Sequence, residues 1–93
     1  MKLLQPGITT RVHFELSVEP GSQVFVAGTF NNWNPTVNPL KDNQDSGHFS
    51  TVVRVPTGTH EYKFIVNGVW ILDPNCSDWV PNTYGSLNSV LNV

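Results

Sequence analysis

The sequence predicts an all-β fold, an immunoglobulin-like antiparallel β-sandwich of the early-set type with about seven or eight strands. Three observations carry that expectation. Apolar residues alternate with polar ones from Ile8 to Val18 and again from Phe49 to Val55. The dipeptide Asn67-Gly68, the preferred loop of a type I′ hairpin, sits between flanks rich in aromatic and β-branched residues. Seven Gly and seven Pro punctuate 93 residues in which no helical periodicity occurs.

In chain order, Ile8, Val12, Phe14, Leu16 and Val18 share one face of the first strand, opposite Arg11, His13, Glu15 and Ser17. Glu19-Pro20-Gly21-Ser22 supplies a turn, because Pro presets φ and Gly accepts a positive φ. Val24-Phe25-Val26-Ala27 then reads as an interior strand. After a long polar stretch, Phe49, Thr51, Val53 and Val55 alternate with His48, Ser50, Val52 and Arg54 until Pro56 and Gly58 end the strand. With Asn67-Gly68 as its loop, the hairpin from His60 to Leu72 pairs Val66 with Val69, Ile65 with Trp70 and Phe64 with Ile71. This register sends Tyr62, Phe64 and Val66 inward and puts Lys63, Ile65 and Trp70 on the other face. Asp73 to Gly85 reads as irregular, and Ser86 to Val93 as the last strand.

A chain of 93 residues and 10.3 kDa fits one domain, residues 1–93, with residues 1–7 expected to be a flexible lead-in. Five Lys+Arg against seven Asp+Glu leave a net charge of -2, so there is no basic field for nucleic acid or anionic lipid. The single cysteine, Cys76, forms no intramolecular disulfide and no Cys-based metal site. The apolar run at the N-terminus ends at Gln5-Pro6-Gly7, short of a secretory core, and a cytoplasmic location is expected.

Catalysis needs a nucleophile, a base and a pocket, and the candidates His13, His48, His60, Cys76, Asp73 and Asp78 have no convergent spacing. No His-x-x-x-His or Cys-x-x-Cys pattern points to a metal. Asp73 and Asp78 are read as loop-forming carboxylates rather than a glycosidase pair. The domain is therefore expected to be no enzyme and to need no cofactor or metal. Three tryptophans, Trp33, Trp70 and Trp79, fall outside the alternating core pattern. Trp33 lies in an Asn- and Pro-rich loop, and Trp70 shares a face with Lys63. Indole beside amide, hydroxyl and ammonium groups is the chemistry of a sugar platform, since a pyranose offers an apolar C–H face and a rim of hydroxyls. Asn34, Asn67, Ser86 and Asn88 are the candidate polar partners.

Four segments resemble carbohydrate-binding module family 48: Val24 to Trp33, Gly58 to Trp70, Asp73-Pro74, and Gly85 to Val90. The look-alikes are the glycogen-binding domains of AMP-activated protein kinase β-subunits and the N-terminal modules of glycogen branching and debranching enzymes. The resemblance implies a β-sandwich that binds α-1,4-glucan, stacking glucose on Trp33 and Trp70 and clamping it with Lys63 and Asn88. Ser86 stands where the kinase domains carry threonine, and Tyr84 where they carry leucine. Asn34, Asn67 and Trp79 are accessory candidates, and the family pattern gives Cys76 no role.

Two functions follow as expectations. The first is a non-catalytic module that binds glycogen, starch or maltooligosaccharides and targets an attached or partner enzyme to the polysaccharide. The alternative is a regulatory interaction module that docks on a kinase, phosphatase or glycoside hydrolase domain with little or no glucan affinity. Response to α-glucan separates them.

Overall fold

The alternation read from the sequence becomes strand pairing in a computed structural model that describes residues 8–93. The expected lead-in, residues 1–7, lies outside the described residues. The strands are β1 (Thr9–Ser17), β2 (Val24–Gly28), β3 (Pro39–Leu40), β4 (His48–Pro56), β5 (Thr59–Val66), β6 (Val69–Ile71), β7 (Trp79–Pro81) and β8 (Leu87–Asn92). All pairings are antiparallel. β1 and β4 form one sheet; the other runs β3-β2-β5-β8-β7, with β6 also pairing β5. The fold is thus the all-β sandwich expected. No helix among the described residues is long and apolar enough to cross a membrane.

The core lies between the two sheets. In the small sheet Leu16 pairs with Phe49 and Phe14 with Thr51, so the apolar face of β1 meets that of β4 in register. From the large sheet come Val24, Val26, Tyr62 and Phe64. Phe14 joins the layers, its ring centroid 5.1 Å from Tyr62 and 6.4 Å from Phe64, both edge-on. Burying each such side chain stabilises the fold by roughly 1.5–3 kcal/mol. Ile8 departs from expectation: it shares the parity of Phe14 but is 53% exposed, because it precedes the first paired residue, Thr9.

The hairpin register is the one read from the sequence, with Phe64 opposite Ile71, Ile65 opposite Trp70 and Val66 opposite Val69. Asn67 and Gly68 both take positive φ, 50° and 85°, as a type I′ loop requires. The return strand β6 stops at Ile71, and β8 takes over as the neighbour of β5 from Tyr62 to Thr59. At that handover the Tyr62 hydroxyl donates to Asp73 Oδ2 at 2.6 Å, and Asp73 N donates to Ser89 Oγ at 3.3 Å, all buried. Asp73 Oδ1 also accepts from Asn75 N at 2.9 Å, the loop-forming role read for it. Burial raises the Tyr62 phenol pKa above its ordinary value, and the hydrogen bond to Asp73 and its charge act in the same direction.

Two segments read as non-strand are ordered by pairing. Pro39–Leu40 joins β2, and backbone bonds between Lys41 and Ser50 tie it to β4, linking the sheets at one edge. Trp79–Pro81 pairs with β8 inside the stretch read as irregular. Neither has an alternating pattern long enough to register as a strand. β8 begins at Leu87, one residue after the expected start.

Candidate functional site

Three chain segments converge on the outer face of the large sheet. The first follows β2, where Gly28 is pressed against β5: a Cβ there would collide with the Glu61 carbonyl oxygen, the Phe30 ring and Tyr62 Cβ. The chain then turns through a 3-10 segment, Thr29–Asn31, and two successive left-handed residues, Asn32 and Trp33, both at φ 57°. Asn tolerates this conformation; for Trp it costs ~1–2 kcal/mol, which the neighbouring contacts must offset. Those contacts are visible. Asn31 Oδ1 accepts from Gly28 N at 2.9 Å, and its Nδ2 donates to Val26 O at 3.1 Å and Asn38 Oδ1 at 2.7 Å. Trp33 N donates to Gly28 O at 2.9 Å.

The second segment is the hairpin, which carries Glu61 and Lys63 on one face of β5 and Trp70 on β6. The ring centroids of Trp33 and Trp70 are 6.4 Å apart, tilted by 43°, and Trp70 is 42% exposed. Lys63 is only 9% exposed, so the open face expected for it is in fact covered. Its stem is packed away while its Nζ donates to Ser86 Oγ at 2.8 Å.

The third segment is the loop from Asn82 to Ser86, between β7 and β8. Asn82 Oδ1 accepts from Tyr84 N at 2.9 Å and Ser86 N at 3.1 Å, and Asn82 N donates to Ser86 O at 2.9 Å. Gly85, at φ 77°, completes this closed loop. Tyr84 stands at its tip, 91% exposed. Asn82 Nδ2 donates to Asn88 Oδ1 at 3.0 Å, and Asn88 Nδ2 donates in turn to Glu61 Oε1 at 2.9 Å.

Together these residues line an open groove of about 960 Å³. Trp33, Lys63, Trp70, Tyr84, Ser86 and Asn88, the six residues singled out from the sequence, all lie on its wall. Among the described residues the groove carries one cation, Lys63, and one carboxyl group, Glu61. The three accessory candidates stand elsewhere. Asn34 Oδ1 accepts from Thr36 N at 3.1 Å, closing its own turn. Asn67 Oδ1 accepts from Gln23 N at 2.9 Å and pins the hairpin to the turn before β2. Trp79 pairs with Ser89, the neighbour of Tyr62 on the core-facing side, and so stands on the face opposite Asn88.

A match to the glycogen recognition site of AMP-activated protein kinase covers residues 10–93. The chain belongs to that family. It is 36% identical over 75 residues to 5'-AMP-activated protein kinase subunit beta-2 of Homo sapiens, covering 81% of this chain and 26% of that protein. Subunit beta-1 of Rattus norvegicus is 36% identical over 73 residues, 78% of this chain and 25% of that protein. Subunit beta-1 of Sus scrofa is 34% identical over 73 residues, 78% of this chain and 56% of that protein. The chain thus spans about a quarter of the length of the human beta-2 subunit, 26%. Membership makes it a carbohydrate-binding module, a non-catalytic class of domain.

Sequence reasoning missed Thr29, Glu61 and Asn82 as groove residues. Thr29 is fixed by His60, whose Nε2 lies 2.8 Å from Pro56 O and Nδ1 2.8 Å from Thr29 Oγ1. A carbonyl only accepts, so Nε2 carries a proton toward Pro56 O. The i, i+2 spacing of Glu61 and Lys63 on a strand was the available signal for Glu61. The histidines do not converge: His13 and His48 flank Glu15 on the small sheet, at 3.0 Å and 3.3 Å.

Proposed function

We propose that this domain binds α-1,4-glucan, as glycogen, starch or maltooligosaccharide, without catalysing a reaction. Glucose rings stack on Trp33 and Trp70, Lys63 and Asn88 donate to their hydroxyls, and Ser86 takes part through its own hydroxyl. Tyr84 adds a further ring face at the rim. The observation that supports this best is the convergence of two indoles, tilted by 43°, in one groove with Lys63 and Ser86. A tilted pair suits a curved chain of linked sugars, whose successive faces change direction. The charges of Lys63 and Glu61 offset each other, which suits a neutral polyol better than an anion.

Each polar group already holds a partner in the free domain, and its remaining donors and lone pairs are what sugar can use. Lys63 Nζ has three N–H donors and gives one to Ser86; Asn88 Nδ2 has two and gives one to Glu61. Exchanging water for protein contacts gains little per hydroxyl, so affinity per site is modest and a multivalent polysaccharide strengthens it. The relatives are named as kinase subunits, and the role that follows is targeting: the module concentrates an attached catalytic domain or a kinase or phosphatase partner on the glucan. Its place of action is the cytoplasm.

Titration with maltoheptaose and β-cyclodextrin, followed by tryptophan fluorescence, tests the reading, with cellohexaose as the β-linked control. Saturable quenching by the α-glucans alone is expected. No response at millimolar sugar overturns it in favour of a docking module without glucan affinity.

A further inference from the structure

The orientation of the Asn88 amide is set from both ends. Two backbone N–H groups, of Tyr84 and Ser86, point at one side of the Asn82 amide at 2.9 Å and 3.1 Å, so that side is the oxygen. Its nitrogen therefore faces Asn88, at 3.0 Å, and must meet the oxygen there. The Asn88 nitrogen is then directed at Glu61 Oε1 at 2.9 Å, and a carboxylate accepts. Donor and acceptor polarity agree along the whole path, and only one arrangement satisfies every member.

We propose that Asn82 is the positioning residue of the groove, and that with Glu61 it locks Asn88 in the one amide orientation that glucan reads. The inference rests on the glucan-binding function proposed above. Asn82 makes direct hydrogen bonds to the backbone of Tyr84 and Ser86 and to the side chain of Asn88, three of the six groove residues singled out from the sequence. Strand pairing alone does not reach Tyr84 or Ser86, which lie between Pro81 and Leu87, the last residues of the β7 and β8 ladder. Asn88 is 6% exposed, so an incorrectly turned amide recovers little of its lost hydrogen bonding from water.

The test compares maltoheptaose affinity and thermal midpoint for the parent domain, Asn82→Ala, Asn82→Asp and the double variant Asn82→Asp with Glu61→Gln. Asn82→Ala releases the loop and the amide together, and a loss of about tenfold or more in affinity is expected. Asn82→Asp keeps the acceptor for Tyr84 N and Ser86 N but removes the donor to Asn88. The Asn88 amide then turns round and its oxygen meets the Glu61 carboxylate, lowering both affinity and thermal midpoint. In the double variant the substituted side chain at position 61 is an amide, which donates where the Glu61 carboxylate accepted, so polarity matches again in the reverse sense. Its thermal midpoint recovers toward the parent while affinity stays low, because Asn88 offers sugar the inverted pattern. A merely structural Asn82 would let affinity and midpoint recover together. Parent affinity retained within about twofold by Asn82→Ala overturns the inference. A parent domain that binds no maltoheptaose overturns the glucan reading beneath it, and the midpoints alone still report whether the polarity swap is compensatory.

Discussion

Trp33 and Trp70 lie 6.4 Å apart although they are separated by the whole of β3, β4 and β5 in sequence. One is carried by a strained left-handed loop, the other by a short strand that pairs for three residues. Their meeting depends on Gly28, which lets the loop descend onto β5.

Substituting either indole separates binding from folding. Trp33→Ala is expected to remove at least about tenfold in maltoheptaose affinity. Because Trp33 is half-buried, stability falls by about 1–2 kcal/mol rather than not at all. Fluorescence titration and urea denaturation on one preparation give both numbers. Full affinity in the variant would remove Trp33 from the platform.

Lys63 is buried, so truncation to Ala confounds lost packing with lost hydrogen bonding. Lys63→Met keeps the stem and removes the ammonium. A thermal midpoint close to the parent, with affinity reduced about tenfold, is expected by calorimetric titration. Unchanged affinity would leave Lys63 as a tie to Ser86 alone.

Tyr62 and Asp73 form a buried pair at the handover from β6 to β8. Tyr62→Phe leaves the carboxylate short of a donor and is expected to cost about 1–3 kcal/mol at neutral pH in chemical denaturation.

The same phenol gives an alkaline signature. Its pKa is raised in the folded state, so the unfolded chain, titrating near 10.0, loses its proton first. The stabilisation is complete below that pH and is lost as pH rises above it. Thermal midpoints between about pH 8 and pH 12 are expected to fall more steeply for the parent than for Tyr62→Phe. Parallel curves would show that Tyr62 ionises as in the unfolded chain.

Gly28→Ala forces a methyl group into the Glu61 carbonyl and the Phe30 ring. A loss above about 2 kcal/mol is expected, with weakened glucan binding because Asn31 and Trp33 both bond to Gly28. A tolerant fold would show that β2 and β5 can separate there.

The hairpin was legible residue by residue. Asn67-Gly68 permits one loop geometry, and a period of two then assigns every side chain on β5 a face. That is why Tyr62 and Phe64 were placed inward and Lys63 with Trp70 outward. The face was legible but not its cover: Lys63 is buried by segments distant in sequence. Asn67 resembled a sugar ligand by composition, yet its amide is taken by Gln23. Short strands such as Trp79–Pro81 have no periodicity of their own and exist because β8 offers them a ladder.

By itself the sequence determined the sandwich class, the hairpin register and the six residues that share the groove. The class and the register rest on local rules, alternation and turn chemistry, which act between near neighbours, while the six residues as a set, Tyr84 above all, came from the family resemblance. The tertiary structure alone decided the rest: the pairing of β1 with β4, the exclusion of Asn34, Asn67 and Trp79 from the groove, and the chain of amides from Asn82 through Asn88 to Glu61. An amide's partner depends on which donor and acceptor lie within about 3 Å. Composition does not encode that distance, and only the folded path of the chain sets it.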